Sequence, residues 1–454
     1  MTVRFVVVGG GPAGTQAATW GARLGAEVTV VEEEVLGGAA NLWDCIPSKA
    51  MIATGGLMSL TRRSRNMGLD VLAPQLDFDA LRARNDEIEG RLKATIRSQL
   101  ESQGVRLLDG VGRLKGPHEV VAETGDGRVV ELDADAILLS TGSRPRIPPF
   151  AEPDGERVLV TRNAYPPPEL QEHLCIVGSG VTGVEFTHMF SSFGCEVTLV
   201  VSRQQVLPTK DPEVAAALEA DFIARGVQLL KGARASAIRR TGDSVRIECS
   251  DGRTVRASHV LLCIGSIPNS ESLGLDAAAV EPDAAGYVTI NHHGQTNVKH
   301  IYAAGDLSGK LPLASVAAMQ GRKVAEHVMG LSAREHRHLD YDKAASAIFT
   351  EPEIADVGLA EADAFATGRK VRVTKVPFAA TAKALIQGDA RGFVKIVSDP
   401  WTGAVLGGSI VGPSAAELIS VLALAVTANL KVNDIVESLL VHPALSEALA
   451  EAAE

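Results

Sequence analysis

The chain has 454 residues, a formal net charge of -11, 22% charged residues and 46% hydrophobic residues. This length exceeds what a single hydrophobic core usually serves, so we expect two to four domains. The scattered acidic residues argue against a nucleic-acid or anionic-membrane surface, because either needs clustered Lys and Arg. The composition is typical of a soluble α/β enzyme that acts on small molecules.

Cellular location is indicated by the cysteines and by the apolar segments. The five cysteines lack disulfide-like spacing, which favours a reducing compartment, so we expect the cytoplasm. The apolar run at residues 5–8 ends in glycine, too early for a signal peptide. A later run at residues 421–426 is far shorter than the ~20 residues that span a bilayer. We therefore expect no membrane segment.

The chain opens with a strand, a glycine loop, a helix and a second strand. A β-branched run covers residues 3–8, a helical pattern continues to Leu24, and the second β run ends at Glu32. Glycines let backbone N–H groups approach a pyrophosphate at the positive end of a helix, and the carboxylate accepts from ribose hydroxyls. A glycine-rich turn without a ligand is the alternative. The predicted dinucleotide loop contains Gly9, Gly11, Pro12, Ala13 and Gly14.

The same pattern recurs in the middle of the chain. A strand at residues 174–177 precedes the loop, and the strand after the helix, at 196–201, runs into Ser202 and Arg203. A carboxylate there would repel a 2′-phosphate, whereas these residues and Lys210 can donate to it, which favours NADPH and tolerates NADH. A solvated Arg203 without contacts is the alternative. The second predicted loop contains Gly178, Gly180, Val181, Thr182 and Gly183.

Each dinucleotide unit closes with a short apolar strand that runs into glycine, and a third kind of pattern follows. The closing strands lie at residues 136–142 and 260–265 and end at Thr141-Gly142 and at Gly265. Prolines after residue 144 place a boundary near residue 150. From about residue 340, alternating stretches predict an antiparallel sheet, with helices at 414–429 and 444–454.

The predicted fold class is α/β, with two Rossmann-like dinucleotide-binding domains and a C-terminal α+β domain.

Residues 37–49 read Gly-Gly-Ala-Ala-Asn-Leu-Trp-Asp-Cys-Ile-Pro-Ser-Lys. This segment resembles the redox helix of the class I pyridine nucleotide-disulfide oxidoreductases, which reads close to GGTCLNVGCIPSK and holds a disulfide beside the flavin. Cys45 aligns with the second cysteine of that motif and Ala40 with the first, so the usual pair is missing. The resemblance covers essentially the whole chain and is closest to the branch of NAD(P)H:quinone reductases that lack the redox disulfide.

The resemblance implies FAD in the first dinucleotide unit, NAD(P)H in the second and a homodimer. It assigns residues 1–150 and 271–338 to the two parts of an FAD-binding domain, 151–270 to an NAD(P)H-binding domain, and 339–454 to a dimerisation domain. Asp306 would lie buried against FAD and bond its ribityl chain, although an Asp after a strand and a Gly is more often a turn or cap. The other implied FAD-binding residues are Gly38, Lys49, Gly112, Thr141, Gly142, Leu313 and Ala314.

The chemistry implied by the resemblance rests on Cys45, Lys49, Glu185, His442 and Glu447. Cys45 is expected at a helix N-terminus, where the dipole favours the thiolate, and would contact the flavin. Lys49 and Glu185 would form an ion pair beside flavin N5 that stabilises negative charge. His442, oriented by Glu447, would cross the dimer interface and shuttle a proton.

Each of these residues also has a non-catalytic interpretation. Cys45 could be a packed, inert thiol, the Lys49–Glu185 pair could be purely structural, and His442 could only order the interface. Trp43 either fills core volume or walls an aromatic pocket. His292 and His293 are expected to be solvated loop residues.

The leading hypothesis is an NAD(P)H-dependent flavoprotein oxidoreductase that passes electrons from reduced FAD to a quinone-like acceptor. It needs no dithiol–disulfide cycle and no metal. The alternative enzymes are a soluble pyridine nucleotide transhydrogenase and a lipoamide dehydrogenase-like disulfide reductase that uses another thiol. The alternative outside enzymes is an idle FAD-binding protein that acts through its partners.

Overall fold

A computed structural model describes residues 2–39, 43–72, 74–331 and 338–454. Its helices are α1 (Pro12–Arg23), α2 (Cys45–Arg63), α3 (Phe78–Ser102), α4 (Val181–Phe193), α5 (Pro212–Ala224), α6 (Ala314–Val328), α7 (Glu361–Ala366), α8 (Ala382–Ile386), α9 (Ala415–Ala428), α10 (Val432–Val436) and α11 (Glu447–Ala453).

The strands of the first two thirds are β1 (Arg4–Val8), β2 (Glu27–Glu32), β3 (Arg106–Gly116), β4 (Glu119–Thr124), β5 (Val129–Asp133), β6 (Ala136–Leu139), β7 (Ser143–Pro145), β8 (Val158–Val160), β9 (His173–Val177), β10 (Glu196–Val201), β11 (Gln228–Lys231), β12 (Ala235–Thr241), β13 (Ser244–Cys249), β14 (Thr254–Ala257), β15 (His259–Leu262) and β16 (Ser266–Pro268). The remaining strands are β17 (Ile301–Ala303), β18 (Ser346–Ile348), β19 (Glu353–Gly358), β20 (Arg372–Pro377), β21 (Phe393–Ser398) and β22 (Val405–Gly412).

The chain divides into two compact units, each built from three segments. The first unit comprises Met1–Ser48, Asp79–Arg146 and Ser266–Tyr341, and the second comprises Lys49–Phe78, Ile147–Gly265 and Asp342–Glu454. The finer division at residues 150, 270 and 338 stays a prediction.

The first unit is organised around a sheet with the strand order β17-β6-β1-β2-β3-β4-β5. The strands from β17 to β3 are parallel, and β3, β4 and β5 continue the sheet as antiparallel neighbours. Residues 5–8 of β1 are all buried, as expected for a parallel strand covered on both faces. Helix α1 begins at Pro12, where a missing N–H costs nothing.

The second unit contains a five-stranded parallel sheet, a five-stranded antiparallel sheet and the small antiparallel sheet β12-β13-β14. The parallel sheet has the order β11-β10-β9-β15-β8, and the five-stranded antiparallel sheet has the order β18-β19-β22-β21-β20. Helix α9 packs on the antiparallel sheet, in a core that includes Phe378, Ile410 and Leu422. This confirms the predicted α/β class with a C-terminal α+β domain.

The start of the last helix and the long helix α3 differ from the sequence analysis. The last helix begins at Glu447 rather than at residue 444, and the Ala444 N–H in the preceding turn donates to the Glu447 carboxylate at 2.8 Å. Helix α3 was not predicted. Only Leu81, Asn85 and Leu100 of its 25 residues are buried, so its apolar stripe is weak. Among the described helices, none combines the length and apolarity that a bilayer crossing requires.

Candidate active site

The first glycine loop joins β1 to α1. Gly9 has a φ of +99°, and a Cβ there would lie 2.5 Å from the Ser140 carbonyl oxygen. A Cβ on Gly14 would lie 2.0 Å from the Gly9 carbonyl oxygen, so both positions exclude a side chain. At Gly11 the nearest atom to a Cβ would be the Gly38 Cα, at 3.8 Å. The helix start therefore keeps an open face that suits a pyrophosphate.

Glu32, at the end of β2, holds this loop in shape. Its Oε2 accepts from the Gly10 N–H at 2.6 Å, and its Oε1 accepts from the N–H groups of Glu34 at 2.9 Å and Val35 at 3.1 Å. Because each carboxylate oxygen has two lone pairs, Glu32 retains capacity to accept from a ribose hydroxyl. Its ribose contact stays a prediction.

Two further predicted glycines, Gly38 and Gly112, lie against the same loop region. Gly38 has a φ of +74°, and a Cβ there would lie 2.5 Å from the Gly11 Cα. A Cβ on Gly112 would lie 2.9 Å from a methyl group of Val8, at the end of β1. Both glycines therefore permit close backbone packing around the loop, and their contact with FAD stays a prediction.

Asp306 lies in the turn after β17 and is half-buried rather than fully buried. Its Oδ2 accepts from the Ser143 hydroxyl at 2.6 Å. The Gln320 side chain accepts from the Gly305 N–H at 2.7 Å and so fixes the turn. The carboxylate is thus held in one place, as a cofactor contact requires.

The loop after β6 contains Thr141 and Gly142 and is tied to Asn269. The Thr141 hydroxyl donates to the Asn269 carbonyl at 2.7 Å, and the Asn269 side-chain N–H donates to the Thr141 carbonyl at 2.9 Å. The sequence analysis missed Ser143, Gln320 and Asn269. Only Ser143 had a signal, its place directly after the predicted Thr141-Gly142 pair.

Helix α6 supplies a second helix start to the first unit. Leu313 precedes the helix and Ala314 is its first residue. A Cβ on Gly321 would lie 1.9 Å from the Ala13 carbonyl oxygen, so α6 and α1 touch through their backbones. This contact positions the start of α6, where N–H groups favour an electron-rich ligand.

The second glycine loop joins β9 to α4. Gly178 has a φ of +112°, and a Cβ there would lie 2.2 Å from the Cys263 carbonyl oxygen. A Cβ on Gly183 would lie 1.8 Å from the Gly178 carbonyl oxygen, whereas no described atom lies within 4 Å of a Cβ on Gly180. This loop too keeps an open face. The predicted neighbours Val181, Thr182 and Gly265 are exposed.

The residues after β10 are partly available for nucleotide recognition. Ser202 and Arg203 have exposed side chains, and the Arg203 carbonyl accepts from a backbone N–H at 3.0 Å. Lys210, the third residue expected to donate to a 2′-phosphate, is paired within the second unit, and that role stays a prediction. Its Nζ lies 2.7 Å from the Asp356 carboxylate and 2.8 Å from the Ser346 hydroxyl, so its charge is already compensated.

Lys49 and Glu185 form the predicted ion pair within the second unit. The Lys49 Nζ lies 2.7 Å from Glu185 Oε2, and the two side chains are 29% and 7% exposed. Glu185 Oε1 accepts from the Phe349 N–H at 3.0 Å, and the ammonium lies 5.1 Å from the Phe349 ring centre. The carboxylate fixes the ammonium in a partly dry setting, where a positive charge acts strongly on a neighbouring group.

Cys45 is the first residue of α2, and Lys49 follows one turn later on the same helix. Cys45 is half-buried, and its carbonyl accepts from the Ser48 hydroxyl at 2.9 Å. All five cysteines lie in the described part of the chain and are thiols. Ala40, Asn41 and Leu42 lie outside the described residues.

His442 and Glu447 also form the predicted pair. His442 Nδ1 lies 2.6 Å from Glu447 Oε1, and the His442 side chain is 75% exposed. The Ala444 N–H and the His442 ring together lower the pKa of Glu447, so this carboxylate is ionised at neutral pH. An ionised Glu447 orients the imidazole through Nδ1, and the rest of this ring is largely exposed.

The chain contains two glycine loops of the dinucleotide-binding kind and the Lys49–Glu185 pair, features that suit an oxidoreductase with two nucleotides. The family model "Pyridine nucleotide-disulphide oxidoreductase" matches residues 3–321, and the model of its dimerisation domain matches residues 344–453. The chain therefore belongs to the pyridine nucleotide-disulphide oxidoreductase family, as the sequence analysis predicted.

The whole chain is similar to relatives named as quinone dehydrogenases and to relatives named as dihydrolipoyl dehydrogenases. An "NAD(P)H dehydrogenase (quinone)" of Mycobacterium tuberculosis is 41% identical over 100% of this chain and 94% of that protein. A "Dihydrolipoyl dehydrogenase" of Zymomonas mobilis is 34% identical over 98% of this chain and 96% of that protein. The crystal structure of LpdA from M. tuberculosis superposes with a TM-score of 0.95 at 40% identity, covering 100% of this chain and 99% of LpdA.

The family membership establishes the enzyme class and the cofactors. The protein is an NAD(P)H-dependent flavoprotein oxidoreductase that uses FAD and NAD(P)H. The residues fit both groups, because the faces at Gly11 and Gly180 leave room where a pyrophosphate would approach a helix start. Which loop holds which nucleotide stays a prediction.

Proposed function

We propose that the protein oxidises NAD(P)H and reduces a quinone-like acceptor, without a dithiol–disulfide cycle. One observation carries the proposal: Ala40 stands where the family's first cysteine stands, while the Lys49–Glu185 pair is intact. The 41% identical relative named for a quinone activity supports this acceptor class. Bound FAD would supply the two-electron chemistry between the two substrates.

The remaining cysteines are poor substitutes for the missing sulfur. Burial raises the pKa of the Cys175 and Cys263 thiols strongly and that of Cys195 to about 12. Burial also raises the pKa of Cys249. A thiol exchanges disulfides as the thiolate, so these four groups are largely unreactive at neutral pH. This favours direct transfer from the flavin to a small acceptor.

In the proposed reaction the chain's residues bind and orient. The loop at Gly9–Gly14 would hold FAD and the loop at Gly178–Gly183 would hold NAD(P)H. The Lys49 ammonium would stabilise negative charge next to the flavin, and Cys45 would contact the flavin from the start of α2. Ser202 and Arg203 would favour NADPH over NADH.

We further propose a homodimer in which His442 and Glu447 complete the partner's site. The second unit exposes large apolar side chains around a cavity of about 530 Å³, and His442 itself is 75% exposed. Exposed apolar patches of this kind indicate a protein interface. The cavity-lining residues with exposed apolar side chains are Leu60, Met67, Leu69 and Val71. From its cysteine usage we expect the dimer to be cytoplasmic.

Steady-state assays with NADPH and three acceptors test the acceptor class. We expect turnover with a soluble quinone, and little with lipoamide or with a second pyridine nucleotide. Turnover with the second nucleotide but not with the quinone would instead identify a transhydrogenase. Failure of NADPH to bleach the bound flavin under anaerobic conditions would leave only a binding role.

A disulfide reductase is the second candidate, because relatives named dihydrolipoyl dehydrogenase are 34% identical over nearly the whole chain. It requires a second sulfur from outside the usual motif. Lipoamide turnover that exceeds quinone turnover, and that is lost in Cys45→Ser, would establish this candidate and reject ours.

A further inference from the structure

Four histidines of the first unit form a cluster, which we name the imidazole cluster: His292, His293, His327 and His338. The His293 ring centre lies 4.1 Å from that of His292, 4.3 Å from that of His327 and 4.8 Å from that of His338. The sequence analysis expected solvated loop residues. This is wrong for His293, which is half-buried among the other rings, because α6 and residue 338 are distant in sequence and adjacent in the fold.

Three members of the cluster place ring nitrogens close to one another. One ring nitrogen each of His292, His293 and His338 lies within 4.8 Å of the other two. In a tetrahedral site with metal–nitrogen distances of ~2.0–2.1 Å, ligand nitrogens are about 3.4 Å apart. His292 and His338 are exposed, so small side-chain rotations can close the remaining gap.

The backbone that presents these rings is well fixed. The Asn291 side chain accepts from the N–H groups of His293 at 2.9 Å and Gln295 at 3.0 Å. Gly294, with a φ of +80°, donates to the Asn291 carbonyl and accepts from the Ala303 N–H at 3.0 Å. The turn is thus anchored to β17, and its two imidazoles need little ordering to bind a ligand.

His327 supports the cluster from helix α6. The Tyr302 hydroxyl lies 2.9 Å from His327 Nδ1, which fixes the ring that packs against His293 at an angle of 28°. Ordered neighbours of this kind orient the residues that bind a metal.

We propose that His292, His293 and His338 bind one divalent cation of the borderline class, with Zn²⁺ as the expected occupant. Imidazole nitrogens suit Zn²⁺, Cu²⁺ and Ni²⁺, whereas Mg²⁺ and Ca²⁺ require oxygen ligands. Water would fill the fourth position. The bound cation would link the turn at 291–295 to the segment at 338–341, and its effect would be on stability rather than on electron transfer.

Hydrogen bonds connect the segment after His338 to the turn that contains Asp306, a predicted FAD-binding residue of the same unit. Tyr341, three residues after His338, accepts from the Gln320 side chain at 2.8 Å, and Gln320 also accepts from Gly305 beside Asp306. A cation that orders residue 338 therefore stabilises a chain of hydrogen bonds that ends at the Asp306 turn.

Calorimetric titration of the untagged, FAD-containing protein with ZnCl₂ tests the site. We expect one Zn²⁺ per chain and a higher midpoint of thermal unfolding with Zn²⁺ than with chelator. His293→Gln and His338→Gln should each weaken binding by at least about tenfold, since loss of a supporting residue alone costs about that much. MgCl₂ should not compete.

Two matched variants separate this site from others. His300→Gln removes a histidine outside the cluster, and Cys45→Ser removes the half-buried thiol, so neither should change Zn²⁺ affinity. Wild-type protein that binds no Zn²⁺, or His293→Gln and His338→Gln proteins that bind it as tightly as wild type, would overturn the proposal. Because His338 is exposed, His338→Gln should fold and retain FAD, and this is checked by flavin absorbance.

Discussion

The two glycine loops have nearly the same backbone and different side chains around it. In each loop the first glycine lies against the carbonyl group that follows a closing strand, that of Ser140 in one and Cys263 in the other. In each, the third glycine lies against the carbonyl oxygen of the first, at Cβ distances of 2.0 and 1.8 Å. The shared backbone therefore specifies a dinucleotide fold without specifying which dinucleotide.

The difference lies at two positions. In the first unit β2 ends at Glu32, whereas in the second unit β10 ends at Val201 and Ser202 follows it. Two residues after the third glycine, α1 has Gln16, whereas α4 has Glu185 paired with Lys49. On this shared frame, the proposed nucleotide choice and reactivity would depend on these few side chains.

The largest expected effect comes from removing the Lys49 ammonium, which Glu185 of α4 holds by an ion pair. Lys49→Met should slow the bleaching of bound flavin by NADPH about 10²- to 10³-fold, because a fixed charge next to the reacting group is lost. Stopped-flow absorbance measures this rate, and Lys49→Arg should retain most of it. An unchanged rate with flavin fully bound would show that the pair is only structural.

A carboxylate placed after β10 would make the second unit resemble the first, in which β2 ends at Glu32. Ser202→Glu should weaken NADPH binding about 10- to 100-fold and leave NADH nearly unchanged, because a hydrogen bond to a charged phosphate contributes about 1.5–3 kcal/mol. The ratio of kcat/KM for the two nucleotides gives the result. A preference for NADH in the wild-type protein would show that Ser202 and Arg203 do not read a phosphate.

The glycines of the second loop can be separated by function. Gly183→Ala should lower the free energy of unfolding by about 1–3 kcal/mol, because its Cβ would overlap the Gly178 carbonyl oxygen. Gly180→Ala has open space and should leave stability unchanged while it weakens NADPH binding. Thermal unfolding and nucleotide titration distinguish the two, and equal destabilisation by both variants would contradict the loop geometry.

The two dinucleotide folds were predictable from the sequence, because they depend on local residue patterns. The loops follow from glycine spacing after a β-branched strand, and the lysine–glutamate and histidine–glutamate pairs followed from motif resemblance. The commitment of Lys210 to Asp356, the Ser143–Asp306 hydrogen bond and the imidazole cluster were not predictable in this way. Each joins residues distant in sequence, and a spacing pattern contains no information on such pairs.

In the proposed reaction, electrons leave from the flavin without a disulfide intermediate. The most direct measurement is an anaerobic reductant titration of the FAD-bound protein, followed by flavin absorbance. We predict complete reduction after about one two-electron equivalent per flavin, because FAD alone stores two electrons. Ala40→Cys, which restores the motif, should raise this value toward two equivalents. A wild-type protein that takes up two equivalents would contain a second redox couple, and this would contradict direct electron transfer from the flavin.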